Sequence, residues 1–224
     1  MFGGRFDPPH LGHREAVRGL FSNPGVKEVL VIPAATPPHK AAFSSAKHRA
    51  AMAHLGFSST FADPFPSEVR VSEIELERSQ QNPTKPSYSF DTLNELKKSY
   101  SQLAFVIGTD QLAQLHTWHR FPDLLGLCHW IVLIRQDAKT PDLNEKARET
   151  LQAWQGSGLI QGAGDSNWKI SKYSTHLTLV PTLAPPVSST QIREVISRSG
   201  QPPEDTLLPS VQAYLKENKI YGIQ

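Results

Sequence analysis

The sequence predicts an α/β fold: a mostly parallel sheet with helices on both faces. Three observations carry that prediction. Short apolar runs rich in β-branched residues, at 26–32 (VKEVLVI), 103–107 (LAFVI) and 130–134 (WIVLI), read as buried strands. Segments with apolar residues at helical spacing lie between them. Turn-forming glycines follow the strand ends, at Gly3-Gly4 and at Gly108. Alternating strands and helices imply right-handed βαβ crossovers, with ligands bound at the carboxyl ends of the strands. The length of 224 residues fits one domain over 1–224 with ample core.

The elements follow in order. Only Met1 and Phe2 precede the first glycines, so the first strand is expected to be shortened. A missing central strand would expose neighbouring backbone groups. A chain extended upstream is therefore expected to be the more stable version. Leu11, Val17, Leu20 and Phe21 set a helix over 10–21, ended by Asn23-Pro24-Gly25. After the strand at 26–32 comes a proline loop at 33–40, then a helix over 46–57 with alanines and Met52 inward. Residues 69–76 (VRVSEIEL) alternate as a half-buried strand, and 79–87 read as loop. A helix over 89–100 has Ser89 as its expected cap. Thr109 is the expected cap of a helix reaching 115. A helix at 142–154, a loop at 156–169 and a short strand at 177–180 follow. One helix begins near Ser188-Ser189 and the last spans 209–218.

Composition narrows the function. Hydrophobic residues make up 38% and charged residues 20%, as in a globular protein. A formal charge of +2 gives no argument for a nucleic-acid or membrane surface. The single Cys128 fits a reducing compartment. The longest apolar stretch, 124–134, is interrupted by His129 and is too short to span a bilayer. The N-terminus does not read as a signal peptide. A cytoplasmic protein is expected.

The chemistry concentrates in Gly3-Gly4-Arg5-Phe6-Asp7-Pro8-Pro9-His10-Leu11-Gly12-His13. The glycines let backbone approach a ligand closely. His10 and His13, three apart, share a helix face, and a helix start offers N–H groups to an anion. His-x-x-His alone is also an ordinary surface pattern. The whole run resembles the His-x-Gly-His signature of the nucleotidyltransferases that share the nucleotide fold of class I aminoacyl-tRNA synthetases. It is most similar to that of the bacterial nicotinate-nucleotide adenylyltransferases. The resemblance implies a Rossmann-like sheet of nucleotidyltransferase type, with Gly3, Gly4, Arg5 and Phe6 beside ATP. Arg5 departs from the serine or threonine usual there, and either touches phosphate or points outward.

Four further segments match the same family in order. Pro37-Pro38-His39-Lys40 is a stiff loop ending in two phosphate-binding groups, otherwise a solvated turn. In the family this segment lies beside the bound nucleotides, which implicates His39 and Lys40. Pro86-Ser87-Tyr88-Ser89-Phe90-Asp91-Thr92-Leu93 resembles the family's Pro-Ser-Tyr-Thr-x-Asp-Thr-Leu, with Ser89 in place of threonine. Thr117-Trp118 matches a segment whose tryptophan covers the substrate's pyridine ring. Tyr88 and Trp118 taken singly read equally as core. Gly108-Thr109-Asp110 resembles the family's Gly-x-Asp, with Asp110 toward a ribose, adenine or substrate group. Val187-Ser188-Ser189-Thr190-Gln191-Ile192-Arg193 resembles a Ser-Ser-Thr-x-Ile-Arg phosphate cradle. Lys169-Ile170-Ser171-Lys172 resembles the synthetase Lys-Met-Ser-Lys-Ser loop, but Tyr173 departs from it. The chain also lacks room for a tRNA-binding apparatus.

The resemblance implies adenylyl transfer from ATP to nicotinate mononucleotide, giving nicotinate adenine dinucleotide and pyrophosphate. An anionic phosphate oxygen attacks, so no protein base is required. His10, His13, Lys40 and Arg193 are expected to steady phosphate charge. His39, Lys40, Tyr88, Ser89, Asp110 and Trp118 are expected on the mononucleotide. Mg²⁺ is expected on the triphosphate, with no dedicated metal cage. The rival readings are a related enzyme acting on nicotinamide mononucleotide or pantetheine phosphate, and a non-catalytic nucleotide sensor.

Overall fold

A computed structural model describes residues 1–38, 42–60, 63–135 and 141–223, the first three residues of the last segment as backbone only. In chain order the elements are β1 (Phe2–Gly4), α1 (Leu11–Leu20), β2 (Val29–Pro33), α2 (Ala46–Gly56), β3 (Val69–Val71) and α3 (Ile74–Gln81). Then come α4 (Ser89–Leu96), β4 (Ala104–Gly108), α5 (Thr109–Gln114), β5 (His129–Arg135) and α6 (Pro141–Gly156). The chain ends with β6 (Ile160–Gly162), β7 (Asn167–Ile170), β8 (His176–Thr182), α7 (Ser189–Ser199) and α8 (Pro209–Glu217). The α/β class read from the sequence is the one observed.

The residues form two compact units. The first is Phe2–Ser87 with Ala184–Gln224. Its strands run parallel in the order β3, β2, β1, with Phe2 opposite Val31 and Val29 opposite Val69. Every residue of β2 is buried, as expected of a strand covered on both faces. Its helical core joins Met52 of α2 to Ile192 and Ile196 of α7 and to Val211 and Leu215 of α8. Burying each such side chain contributes roughly 1.5–3 kcal/mol.

The second unit is Met1 with Tyr88–Leu183. Strands β4, β5 and β8 are parallel, with Phe105 opposite Trp130 and Val132 opposite Leu179. The amine of Met1 donates to the Ala104 carbonyl at 2.7 Å, and Val106 N–H donates to the Met1 carbonyl. β1 is short, as expected, at three residues.

Four expectations are corrected. The alternation over 69–76 holds only for β3; from Ile74 the chain is helical to Gln81, so most of α3 falls where strand or loop was expected. Its first turn carries Glu75 and Glu77, which suit the positive end of a helix. The stretch 156–169 contains the antiparallel strands β6 and β7, whose only buried side chains are Ile160 and Ile170. Tyr88, not Ser89, is the N-cap residue of α4. Gly108, not Thr109, is that of α5, with Gln111 Oε1 accepting the Gly108 N–H at 2.9 Å.

Candidate active site

β1 delivers the chain to Gly4, where a Cβ would come within 2.9 Å of the Phe6 ring. Phe6 itself sits at φ 51°. That left-handed conformation costs an L-residue about 1–2 kcal/mol. Packing holds it there: Phe6 is 2% exposed, with its ring 5.4 Å from Phe57 and 5.2 Å from His13.

His10 then caps α1. Its Nδ1 accepts the His13 N–H at 3.3 Å, and His13 Nδ1 accepts the His10 N–H at 3.2 Å. This is a capping box built from two imidazoles in place of serine and glutamate. The rings stack at 3.6 Å and 25°. With Nδ1 accepting, the neutral ring carries its proton on Nε2, so the donating edge of each imidazole is Nε2–H. Gly12 is required by crowding, because a Cβ there would meet the Pro185 carbonyl at 2.9 Å and the His10 ring at 3.0 Å.

That crowding shows where the late motif sits. Ser189 Oγ donates to the Pro8 carbonyl at 2.8 Å, and Arg193 donates to the buried Asp7 carbonyl at 2.5 Å. The start of α7 is thus fastened to the turn that leads into α1. Ser188 Oγ caps α7 by accepting from Gln191 N–H, and Thr190 Oγ1 accepts from Arg193 at 3.2 Å. The Arg193 guanidinium lies 4.2 Å over the Phe43 ring. Burial lowers its pKa, opposed by the Asp7 carboxylate.

Asp7, 1% exposed, is the hub. Its carboxylate accepts from Phe43 N–H at 2.7 Å, from Ser44 Oγ at 2.5 Å and from Tyr221 Oη at 2.5 Å. Arg49 braces the same loop by donating to the carbonyls of Ser44, Ala34 and Ala35. Burial lowers the pKa of Arg49 too, with Asp7 opposing. Sequence reasoning singled out neither Arg49 nor Tyr221. For Arg49 a signal existed: it shares an i, i+3, i+4, i+7 stripe with Met52, Ala53 and Gly56, all buried. Arg5 is half-buried and close enough to lower the pKa of both Arg49 and Arg193. His39 and Lys40 lie outside the described residues.

The second unit holds the remaining expected residues. A Cβ on Gly108 would meet Asp110 Oδ1 at 2.7 Å, so the carboxylate folds back over the start of α5. Tyr88 stacks on His119 at 4.1 Å and 21°, a partner the sequence reading did not name. Trp118 is half-buried, its ring 5.9 Å from Phe105. Ser89 opens α4 beside Tyr88. Burial pushes the Cys128 thiol up to about 12, so it is no nucleophile at neutral pH. Among the described residues no group of three or more His, Cys, Asp or Glu could hold a metal ion, and no helix is long and apolar enough to cross a membrane.

The cytidylyltransferase-like family model matches residues 1–195. A probable nicotinate-nucleotide adenylyltransferase of Serratia proteamaculans is 33% identical, covering 99% of this chain and 94% of its own. Its counterpart in Pseudoalteromonas atlantica is 32% identical, covering 99% and 93%. Among solved structures, Plasmodium falciparum nicotinic acid mononucleotide adenylyltransferase complexed with NaAD superposes with a TM-score of 0.70 at 17% identity, covering 100% of this chain and 96% of that one. The same protein complexed with APC gives a TM-score of 0.68.

Proposed function

Since this chain belongs to the cytidylyltransferase-like family, among its nicotinate-nucleotide adenylyltransferases, we propose that it joins the AMP moiety of ATP to nicotinate mononucleotide in NAD biosynthesis. The observation that carries the reading is the first unit's group of donors: two stacked imidazoles at the start of α1, with Arg193 of α7 fixed on the same turn.

The chemistry asks little covalent work of the protein. A phosphate oxygen of the mononucleotide, already anionic, attacks the α-phosphorus of ATP. The new P–O bond forms as the bond to the bridging α–β oxygen breaks, and pyrophosphate leaves with the electron pair. Catalysis then rests on alignment and on neutralising charge as it shifts to the leaving group. His10 and His13 donate Nε2–H to ATP phosphates, and Arg193 adds fixed positive charge. Lys40 supplies a further cation, and Arg5 faces the same anions. Gly3, Gly4 and Phe6 line the turn, and the first-turn N–H groups at Ser188, Ser189 and Thr190 receive phosphate oxygens. Gly108 and Asp110 receive the nucleotide's polar groups. Tyr88 and Trp118 take the pyridine ring, aided by Ser89 and His39. Mg²⁺ enters with ATP as part of the substrate, held by phosphate oxygens and water. The unpaired Cys128 and the modest charge support work in the cytoplasm, away from nucleic acid and membrane.

The test is product formation. Protein, ATP and Mg²⁺ are incubated in parallel with the acid and the amide mononucleotide, and dinucleotide and pyrophosphate are followed by chromatography. Nicotinate adenine dinucleotide should dominate. Preference for the amide moves the substrate assignment, and absence of either dinucleotide overturns the reading.

A further inference from the structure

We propose that Tyr221, three residues from the end of the chain, is a positioning residue for adenylyl transfer: its hydroxyl holds the Asp7 carboxylate, and Asp7 holds the turn that leads to His10 and His13 and receives Arg193. The inference rests on the functional reading above, and it adds a residue from a segment outside every motif.

The tail is built to bring this hydroxyl to Asp7. After α8 the chain reverses, with Lys219 at φ 51° and Tyr221 at φ 61°. Both are left-handed, and neither is glycine. Strain of this kind persists where the surroundings over-determine it, and it gathers at functional sites. The pins are visible. Ile220 and Ile223 are buried in the core formed with Ile192, Ile196, Val211 and Leu215. With its neighbours on both sides held, Tyr221 reaches across 214 positions of sequence to Asp7 Oδ1. Burial, then the bond to Asp7 and its negative charge, raise the phenol well above its ordinary pKa. It therefore stays a protonated donor at every working pH.

The consequence runs through Asp7. A carboxylate beside a phosphate site is a liability, because it competes with the substrate for the same cations. Here its oxygens are occupied by Phe43 N–H, Ser44 Oγ and Tyr221 Oη. Arg193 consequently bonds the neutral carbonyl of Asp7, not its carboxylate. That geometry keeps the guanidinium's charge for an incoming anion. Without the phenol, Asp7 Oδ1 regains a lone pair with Arg193 and Arg49 close enough to feel its charge.

Tyr221→Phe tests this, since it removes one oxygen and keeps the ring. ATP affinity by calorimetry and kcat/KM for ATP should both fall, by roughly tenfold for one bond to a charged group. The KM for the mononucleotide should stay within twofold and the Tm within a few degrees. Wild-type ATP affinity and turnover overturn the proposal. A lowered Tm with equal loss for both substrates does so too, because it marks a purely structural tyrosine. If the wild-type protein forms no dinucleotide, the functional reading falls, and the ATP affinity of Tyr221→Phe still decides this one.

Discussion

The two units are stabilised by different physics. Among the described residues, the first unit buries Asp7, His10, Arg14, Arg49, Glu75, Ser87 and Arg193, whereas the second buries three threonines, Thr92, Thr109 and Thr175, as its only polar side chains. The second unit relies on rings and aliphatics instead, such as Phe105 against Trp130 at 5.3 Å and Phe121 against Trp154 at 5.5 Å. Desolvating one ion costs several kcal/mol unless its hydrogen bonds are replaced. Arg14 and Arg49 of the first unit replace most of theirs. Arg14 alone bonds the Asp63 carboxylate and the carbonyls of Gly56, Ser58 and Asp63. The difference teaches that a unit tolerates buried cations where carboxylates and backbone carbonyls stand in for their water. A unit that presents flat rings needs no such partners.

The largest expected effect tests that division at its centre. His13→Gln keeps an acceptor at the third position of α1, so the capping box survives while the imidazole is lost. Turnover should fall about 10²–10³-fold, the usual cost of removing one preorganised donor to a developing charge. The Tm should change little. Near-wild-type turnover in a steady-state assay would remove His13 from the chemistry and leave it a helix cap.

How much of this was legible in advance follows from the range of each interaction. Local signals were readable: β2 and β5 as apolar runs, His10-x-x-His13 as one helix face, and Ser188-Ser189 as a helix start. Residues 69–81 misled because Val69 and Val71 alternate, and so do Ile74 and Leu76, but in the opposite phase; the slip falls at Ser72-Glu73, just before the chain turns helical at Ile74. The β6–β7 hairpin was hidden because its few apolar residues, Ile160, Trp168 and Ile170, are scattered through a polar, glycine-bearing stretch with no sustained alternation. Asp7 was not legible as a hub. Its partners at Phe43, Ser44, Arg193 and Tyr221 are set by tertiary packing, and no periodicity announces them.

A second, smaller effect sharpens the comparison from the other side. Trp118 offers its unit a half-buried ring and no charge. Trp118→Ala should raise the KM for the mononucleotide by about tenfold, in line with the worth of one base–aromatic stack. The KM for ATP should hold. Equal losses for both substrates would make Trp118 core packing behind Phe105, and the apolar unit would then have no separate share in recognition.

The smallest effect asks whether the buried charges of the first unit also set its acid stability. Asp63 bonds Arg14 at 2.7 Å and also pairs with Arg18. Burial pushes the Asp63 carboxyl up, but the hydrogen bonds from Arg18 and Arg14 win, and its pKa lies below the ordinary value of 3.8. A depressed folded-state pKa contributes stability above the unfolded value, and that stability is lost as pH falls through the folded one. Asp63→Asn should therefore lower the Tm by about 2–4 °C at pH 7, as for a change near 1 kcal/mol in a chain this size. The gap from wild type should narrow in scans below pH 4, as the native carboxylate becomes protonated and gives up the same attraction. A gap of constant width across that range would mean that Asp63 supports Arg14 by shape and neutral hydrogen bonding. The contrast between a charge-wired unit and an apolar one would then describe where the ions sit, and not what keeps the first unit folded.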